Sequence, residues 1–152
     1  MGKTNFGLGG RGQKSIFIPK NPTKYIGDYP IICRSSWENT MCLYFDTHPN
    51  VLFWASESLK IPYINPFKKG LDKIANYYPD FLIIIKDKNG KQQRQILEIK
   101  PKSQTVLESA KTNSDKVALA LNMCKWAAAT AFAKNNGMTF RVLTEADIFG
   151  KI

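Results

Sequence analysis

The chain has 152 residues, 43% of them hydrophobic, with 22 Lys plus Arg against 12 Asp plus Glu and a formal net charge of +10. That is enough for one domain with a real core, and no apolar run approaches the ~18 residues that a membrane helix needs. The basic excess favours a polyanionic partner through phosphate neutralisation and counterion release, although a merely basic globular protein has the same composition.

In chain order, residues 1–15 read as a flexible, basic, glycine-rich arm, and 16–152 as a single domain. Residues 1–27 hold five basic side chains (Lys3, Arg11, Lys14, Lys20, Lys24) and no acidic one. Such an extension grips either a nucleic-acid backbone or an acidic protein surface. Gly7-Leu8-Gly9-Gly10-Arg11-Gly12 matches G-x-G-x-x-G in form only. No strand precedes it and no room exists for a βαβ unit, so no dinucleotide site is expected.

Residues 16–34 are extended and bounded by prolines. Ser35-Ser36 caps a helix over 37 to about 47, with Met41, Tyr44, Phe45 and, in part, Leu43 as its apolar side. His48-Pro49 ends it, because the residue before proline disfavours the helical region. Residues 51–55 and 59–63 read as one or two strands, and 65–77 as a basic, turn-rich connection that carries Lys68, Lys69 and Lys73. Phe81-Leu82-Ile83-Ile84-Ile85 and Gln95-Ile96-Leu97-Glu98-Ile99 read as paired buried strands around the turn signal Asp87-Lys88-Asn89-Gly90. A polar stretch, 101–113, leads to a long helix from 113 or 114 to 134. Val117, Leu121, Cys124, Ala128 and Phe132 recur there at helical spacing, and Asn136-Gly137 closes it. Residues 139–143 form a last strand and 144–148 a short helix. This order predicts an α/β domain with a mixed central sheet flanked by helices.

The chemistry gathers at the strand pair. Tyr78-Pro79-Asp80-Phe81 opens the first strand, and Glu98-Ile99-Lys100 closes the second. Glu98 interrupts an apolar run, where a solvated charge is uncommon. Glu98 and Lys100 are two apart and share a face; Asp80 joins them only if it stands opposite Glu98. A two-residue Asn89-Gly90 turn pairs Asp80 with Ile99, on the wrong face. A three-residue loop, Lys88-Asn89-Gly90 with Gly90 at positive φ, pairs Asp80 with Glu98, as does a five-residue loop of the same centre. An odd loop or a bulge is therefore expected.

Asp80, Glu98 and the backbone carbonyl of Ile99 then offer three oxygens to Mg²⁺, a hard cation that keeps several waters, with Mn²⁺ as a substitute. Such an ion activates water and neutralises charge growing on a phosphate under attack. Lys100 would orient the nucleophile or stabilise the same charge. In the alternative, Asp80 caps a strand, while Glu98 and Lys100 form a solvated pair worth about 0–1 kcal/mol. Glu38, early in the first helix, either serves the helix dipole or adds a third acid to the metal site. Asn122 and Lys125 share a helix face and either touch phosphate or are solvated. Glu57 either supports the site or forms a salt bridge. Arg11, Lys14, Lys20, Lys24, Arg34, Lys68, Lys69 and Lys73 are candidate contacts to a DNA backbone. They carry no obvious sequence code, so weak or structure-based specificity is expected.

A single histidine, His48, excludes H-N-H nucleases, zinc hydrolases with two His ligands and paired-His ribonucleases. No G-x-x-x-x-G-K-[S/T] occurs, so no nucleotide cofactor is expected. No Cys-His or Ser-His arrangement of any specificity is present either. Cys33, Cys42 and Cys124 lack C-x-x-C spacing and read as free thiols in a reducing cytoplasm. No apolar segment follows the first lysines, so no secretory signal is expected.

Pro79-Asp80 with Glu98-x-Lys100 resembles the PD-(D/E)xK nuclease superfamily, which includes restriction endonucleases and the nuclease subunit of Tn7-type transposition. Further stretches fall in order: Lys20-Asn21-Pro22-x-Lys24-Tyr25-x-Gly27, Arg34-Ser35-Ser36-Trp37-Glu38, Pro49-Asn50-Val51-Leu52-x-Trp54 and Tyr78-Pro79-Asp80-Phe81. With these the chain is similar to the head-completion nucleases of T-even-type tailed phages, from about residue 16 to the C-terminus. The resemblance implies a restriction-endonuclease-like fold with Glu38, Asp80, Glu98 and Lys100 in the active site. Asn122 and Lys125 correspond more loosely to a polar helix position of the superfamily. It also implies Mg²⁺-dependent hydrolysis of DNA that leaves 5′-phosphate ends, serving phage head completion and head–tail joining after DNA packaging. The expected place is the cytoplasm of the infected bacterial host, or the virion, with portal or neck proteins as partners and no membrane. Two rivals stand beside this reading: a structural neck protein whose acids are incidental, and a nucleic-acid-binding module without catalysis.

Overall fold

The computed structural model describes residues 14–149. Of the expected arm only Lys14 and Ser15 fall within this range; Lys3, Arg11 and the G-x-G-x-x-G match lie outside the described residues. In chain order the elements are β1 (Ser15–Phe17), β2 (Ile31–Cys33), α1 (Ser36–Thr47), β3 (Val51–Ser56), β4 (Ile61–Ile64), β5 (Ile74–Tyr77), β6 (Phe81–Lys86), β7 (Gln92–Ile99), α2 (Asn113–Asn135), β8 (Thr139–Leu143) and α3 (Glu145–Phe149).

Four of the strands build one sheet in the order β3-β6-β7-β8. The first three pair antiparallel and β7 with β8 parallel, so the sheet is mixed, as expected. The parallel pair needs a long crossover, and α2 supplies it. Alternate strand residues point to opposite faces, and the two faces carry separate cores. Phe81, Ile83, Leu97, Ile99 and Leu143 pack around Trp54 with Trp37, Met41, Cys42 and Phe45 of α1 and Ile148 of α3. On the other face Leu82, Ile96 and Phe140 meet Ala129, Phe132 and Ala133 of α2, together with Ile61, Tyr63 and Tyr77. A strand covered on both sides reads as a continuous apolar run; Ile96, Leu97 and Ile99 are all buried.

Helix α1 begins where the serines predict. The Ser35 hydroxyl accepts the Glu38 N–H at 3.1 Å, and His48 takes an extended backbone ahead of Pro49. Its buried stripe differs from the expectation: Leu43 and Tyr44 are exposed, and Trp37 and Cys42 are buried instead. Positions 37, 41, 42 and 45 lie on one helical stripe facing the sheet, whereas 43 and 44 turn past it. Asp46, also buried, accepts the N–H groups of Lys20 at 2.8 Å and Asn21 at 3.0 Å. That fastens the extended segment to the helix. The Lys24 ammonium donates to the His48 carbonyl at 2.9 Å. Cys33 and Cys42 are free, buried thiols with their sulfurs 3.5 Å apart.

Residues 65–77, expected as a connection, contain β5. It pairs antiparallel with β4 from Ile61↔Tyr77 to Ile64↔Ile74. Four residues are too short for periodicity to declare a strand, and pairing across the lysine-rich loop decides it. The hairpin that matters most has the expected register. β6 and β7 pair from Phe81↔Leu97 to Lys86↔Gln92, and the Asp87 N–H donates to the Lys91 carbonyl at 2.9 Å. That closes a three-residue loop with Gly90 at φ +79°. The Asp87 carboxylate accepts the N–H groups of Asn89 and Lys91, both at 2.9 Å. These bonds hold its pKa below the usual carboxylate range.

A Cβ at Gly90 would meet only the end of the Lys86 side chain, at 3.9 Å, so a substitution there tests backbone conformation alone. Gly90→Ala is expected to cost about 1 kcal/mol, the usual left-handed penalty, in urea denaturation, and Gly90→Asn visibly less. Equal stability of all three proteins would show that the turn does not hold the register.

Candidate active site

Asp80 sits just ahead of β6. Its Oδ2 accepts the Ile99 N–H at 2.7 Å, so the carboxylate closes the open end of the ladder. Glu98, in β7, points to the α2 side of the sheet like its neighbour Ile96. Glu98 Oε1 accepts the Tyr77 hydroxyl at 2.6 Å, within the buried interior. Its Oε2 lies 3.8 Å from Lys100 Nζ. Tyr77 reaches this point because β5 lies on the α2 face.

Three carboxylates share this poorly solvated corner. Asp80 is pushed well above its ordinary pKa, first by burial and then by the negative charges of Glu98 and Glu38; the Ile99 N–H and Lys100 oppose this. Burial also raises Glu98, against the Tyr77 hydroxyl, Lys100 and Lys125. Glu38 is raised by burial and by the charges of Glu57 and Glu98, while the Arg34 N–H opposes. Burial and the charge of Glu98 raise the Tyr77 pKa, so the hydroxyl stays a donor.

A chain of contacts frames these acids. Glu57 adopts φ +50° at the end of β3, a left-handed conformation that costs a non-glycine residue roughly 1–2 kcal/mol. Its N–H donates to the Asp80 carbonyl at 2.9 Å. Its carboxylate accepts Arg34 Nε at 2.7 Å and Nη2 at 3.0 Å. The Arg34 backbone N–H in turn donates to Glu38 Oε1 at 3.0 Å. Asp80, Glu57, Arg34 and Glu38 are thus linked in series, and strain at Glu57 is held from both ends. Glu57 is therefore a salt-bridge residue. Arg34, expected as a phosphate contact, has its charge offset by Glu57.

The structure brings Glu38, Asp80, Glu98 and Lys100 into one electrostatic neighbourhood. Among the described residues, however, no three His, Cys, Asp or Glu side chains are grouped closely enough to hold a metal ion. Mg²⁺ does not need three, since it binds through one or two carboxylates with waters and phosphate oxygens. Asp80 and Glu98, desolvated and acidic, have the donor chemistry and the unbalanced charge that suit it. Glu38, occupied by the Arg34 amide, contributes charge to the same corner.

Of the remaining candidates, Lys125 on α2 stands 5.8 Å over the Tyr63 ring and favours ionised Glu98. Asn122 instead lines a cavity of about 380 Å³ between α2 and residues 103–110. Lys14, Lys20, Lys68, Lys69 and Lys73 are exposed. A larger cavity of about 530 Å³ lies on the opposite face, between α1, α3 and the sheet, and includes none of the four site residues. Sequence reasoning missed Tyr77 and the Arg34–Glu57 link. The one available signal was the place of Tyr77, just ahead of Tyr78-Pro79-Asp80.

A family model described as TnsA-like endonuclease N terminal matches residues 48–145, a span that includes Asp80, Glu98 and Lys100 and leaves out Glu38. The chain is also 35% identical over 140 residues to the head completion nuclease of Enterobacteria phage T4, covering 85% of this chain and 89% of that protein.

The raised pKa of Asp80 means that the folded state binds its proton more readily than the unfolded chain does. The associated stability is full below the ordinary carboxylate range and is lost as pH rises through the folded value. At neutral pH, above the ordinary carboxylate range, holding this carboxyl in the fold therefore costs stability. Asp80→Asn keeps an acceptor for Ile99 and removes the charge. Without divalent cations it is expected to raise Tm at pH 7 by roughly 2–4 °C, the gain fading toward pH ~4. Thermal denaturation at both pH values measures this, and a Tm unchanged at pH 7 would refute the repulsion.

Proposed function

The chain belongs to the TnsA-like endonuclease family, and from that premise we propose that it is a Mg²⁺-dependent DNA endonuclease of the PD-(D/E)xK type, acting in phage head completion and head–tail joining after DNA packaging. The observation that carries the reading is the pair of desolvated carboxylates, Asp80 and Glu98, on one side of a hairpin end with Lys100 Nζ 3.8 Å from Glu98. Asp80, Glu98 and the Ile99 carbonyl would hold the cation, with Mn²⁺ as a substitute. Bound there, it supplies Lewis-acid polarisation of the phosphate and a lower pKa for water.

The protein's own groups do the rest. Lys100 presents a cation where charge develops on the phosphate oxygens and donates hydrogen bonds to the attacking water. The Tyr77 hydroxyl holds one oxygen of Glu98, so the other keeps a fixed direction. The Glu57–Arg34 link sets Asp80 and Glu38 through their backbone and side-chain bonds. Glu38 keeps the corner negative, which favours retention of a divalent cation. Water attacks phosphorus as it gives up a proton to solvent, and the P–O3′ bond breaks. The 3′ oxygen leaves as a hydroxyl after taking a proton from solvent, and a 5′-phosphate end remains. Exposed lysines on a chain of net charge +10 suit a DNA backbone. The proposed setting is the cytoplasm of the infected bacterium, beside portal or neck proteins, or the virion itself. No helix among the described residues is long and apolar enough to cross a membrane.

Purified protein is expected to nick supercoiled plasmid with Mg²⁺ and not with EDTA, and Asp80→Asn or Lys100→Ala to lose about 100-fold or more. Full activity in either variant rejects the site. Tyr77→Phe disturbs Glu98 without touching DNA, so it should lower kcat about tenfold, the worth of one hydrogen bond to a charged group, with KM little changed. A phage carrying Asp80→Asn should fail to yield infectious particles. A normal yield would favour the structural neck protein instead.

A further inference from the structure

The β4–β5 hairpin stands apart from the central sheet, and its two ends differ sharply. At its base, Tyr77 bonds Glu98 at 2.6 Å and Tyr63 lies under Lys125. Residues 66–73 at its far end are all exposed. Between 60 and 73 the chain carries Lys60, Lys68, Lys69 and Lys73 against a single acid, Asp72. Apolar side chains are exposed among them: Leu71 is 86% exposed, Ile74 58%, Ile64 56% and Phe67 52%. Ile64 and Ile74 face each other across the ladder. Asn65 shapes the loop, accepting the Phe67 N–H on its side chain at 2.9 Å and donating its own N–H to the Lys73 carbonyl at 2.6 Å. At the base, Tyr78 is 53% exposed and stands two residues before Asp80.

Lysines alone would suit the backbone of any duplex. The apolar groups would find nothing to cover there, because bases in a duplex are stacked inside it. Unpaired bases expose their faces, and a groove that binds them interleaves cations with aromatic side chains. An acidic protein surface would match the lysines equally well. Position favours nucleic acid, since the hairpin ends on the acid that the proposed reaction uses. The three steps from Tyr77 to Ile74 span about 10 Å, roughly three nucleotide rises of 3.4 Å. A strand cut at Glu98 would thus pass the hairpin within a few nucleotides.

Resting on the nuclease reading above, we propose that this hairpin grips unpaired DNA beside the cut. Lys68, Lys69 and Lys73 hold phosphates, and Phe67 and Tyr78 stack on bases. The substrate class is then DNA with single-stranded nucleotides next to the scissile bond, as in a flap, a gap or an overhang.

Fluorescence anisotropy in EDTA, where nothing is cut, tests the grip on the full chain. The probes are a single strand, a duplex with a single-stranded overhang and a blunt duplex. Phe67→Ala and Tyr78→Ala should each weaken the first two about tenfold, as loss of one stacked base does, and leave the blunt duplex within about twofold. Phe67→Trp should retain binding. Replacing Lys68, Lys69 and Lys73 together by Ala should weaken all three probes and flatten the salt dependence. Thermal melting confirms that each variant folds. Equal losses on single-stranded and blunt DNA, or no loss on either, overturn the proposal, as does a hairpin variant that loses only a phage-protein contact. A wild type that nicks plasmid while Phe67→Ala shows no strand preference retires the hairpin proposal alone. A wild type that never nicks retires the nuclease reading.

Discussion

The Asp80 carboxylate accepts the Ile99 N–H at 2.7 Å, and through that bond the geometry of a turn becomes the geometry of a site. Side chains alternate along a strand, so a slip of one residue would exchange every group on one face for its neighbours. Glu98 would then enter the core around Trp54, and Ile99 would replace it in the acidic corner. Burying a charge among aromatic rings costs far more than the turn itself. Three features hold the register against that outcome: the left-handed Gly90, the two N–H groups taken by Asp87, and the apolar contacts on both faces of β7.

The same corner works against stability. Burial raises the proton affinity of Asp80, Glu98 and Glu38, like charge raises that of Asp80 and Glu38 further, and Glu57 adds a strained backbone. Two separate cores, one on each side of the sheet, offset these costs. The support is local as well. Each acid has at least one fixed donor: Ile99 for Asp80, Tyr77 for Glu98, and Arg34 for Glu38. Such donors lower the freedom of the carboxylates without cancelling their charge. A restrained, partly buried and negative corner of this kind would suit the proposed divalent cation.

The two small sheets divide the remaining tasks. β1–β2 lies on the α1 side, where Phe17, Ile31 and Cys33 join the core around Trp54 and Asp46 fastens the segment that follows β1. β4–β5 covers the α2 side, delivers Tyr77 to Glu98 and sets Tyr63 under Lys125. The family match to residues 48–145 takes in the second of these sheets and leaves out the first, along with α1 and Glu38.

Much of this was legible in the linear chain because it depends on local rules. Ser35 marks a helix start and Pro49 its end; Asn89-Gly90 marks a turn, and the demand that Asp80 and Glu98 share a face selects a loop of odd length. Period-two counting through that loop sets Asp80 opposite Glu98. The pairing of Pro79-Asp80 with Glu98-x-Lys100 carried the family resemblance. The strand at 74–77, the buried face of α1, and the partners of Arg34, Glu57 and Tyr77 were not legible. Arg34 and Glu57 are separated by 23 positions, and Tyr77 and Glu98 by 21. Contacts over such spans arise only when independent elements pack, and no propensity or spacing encodes which exposed arginine will find a carboxylate. Local backbone chemistry therefore determined where the acids stand along their strands, whereas packing across the sheet decided which neighbours desolvate and restrain them.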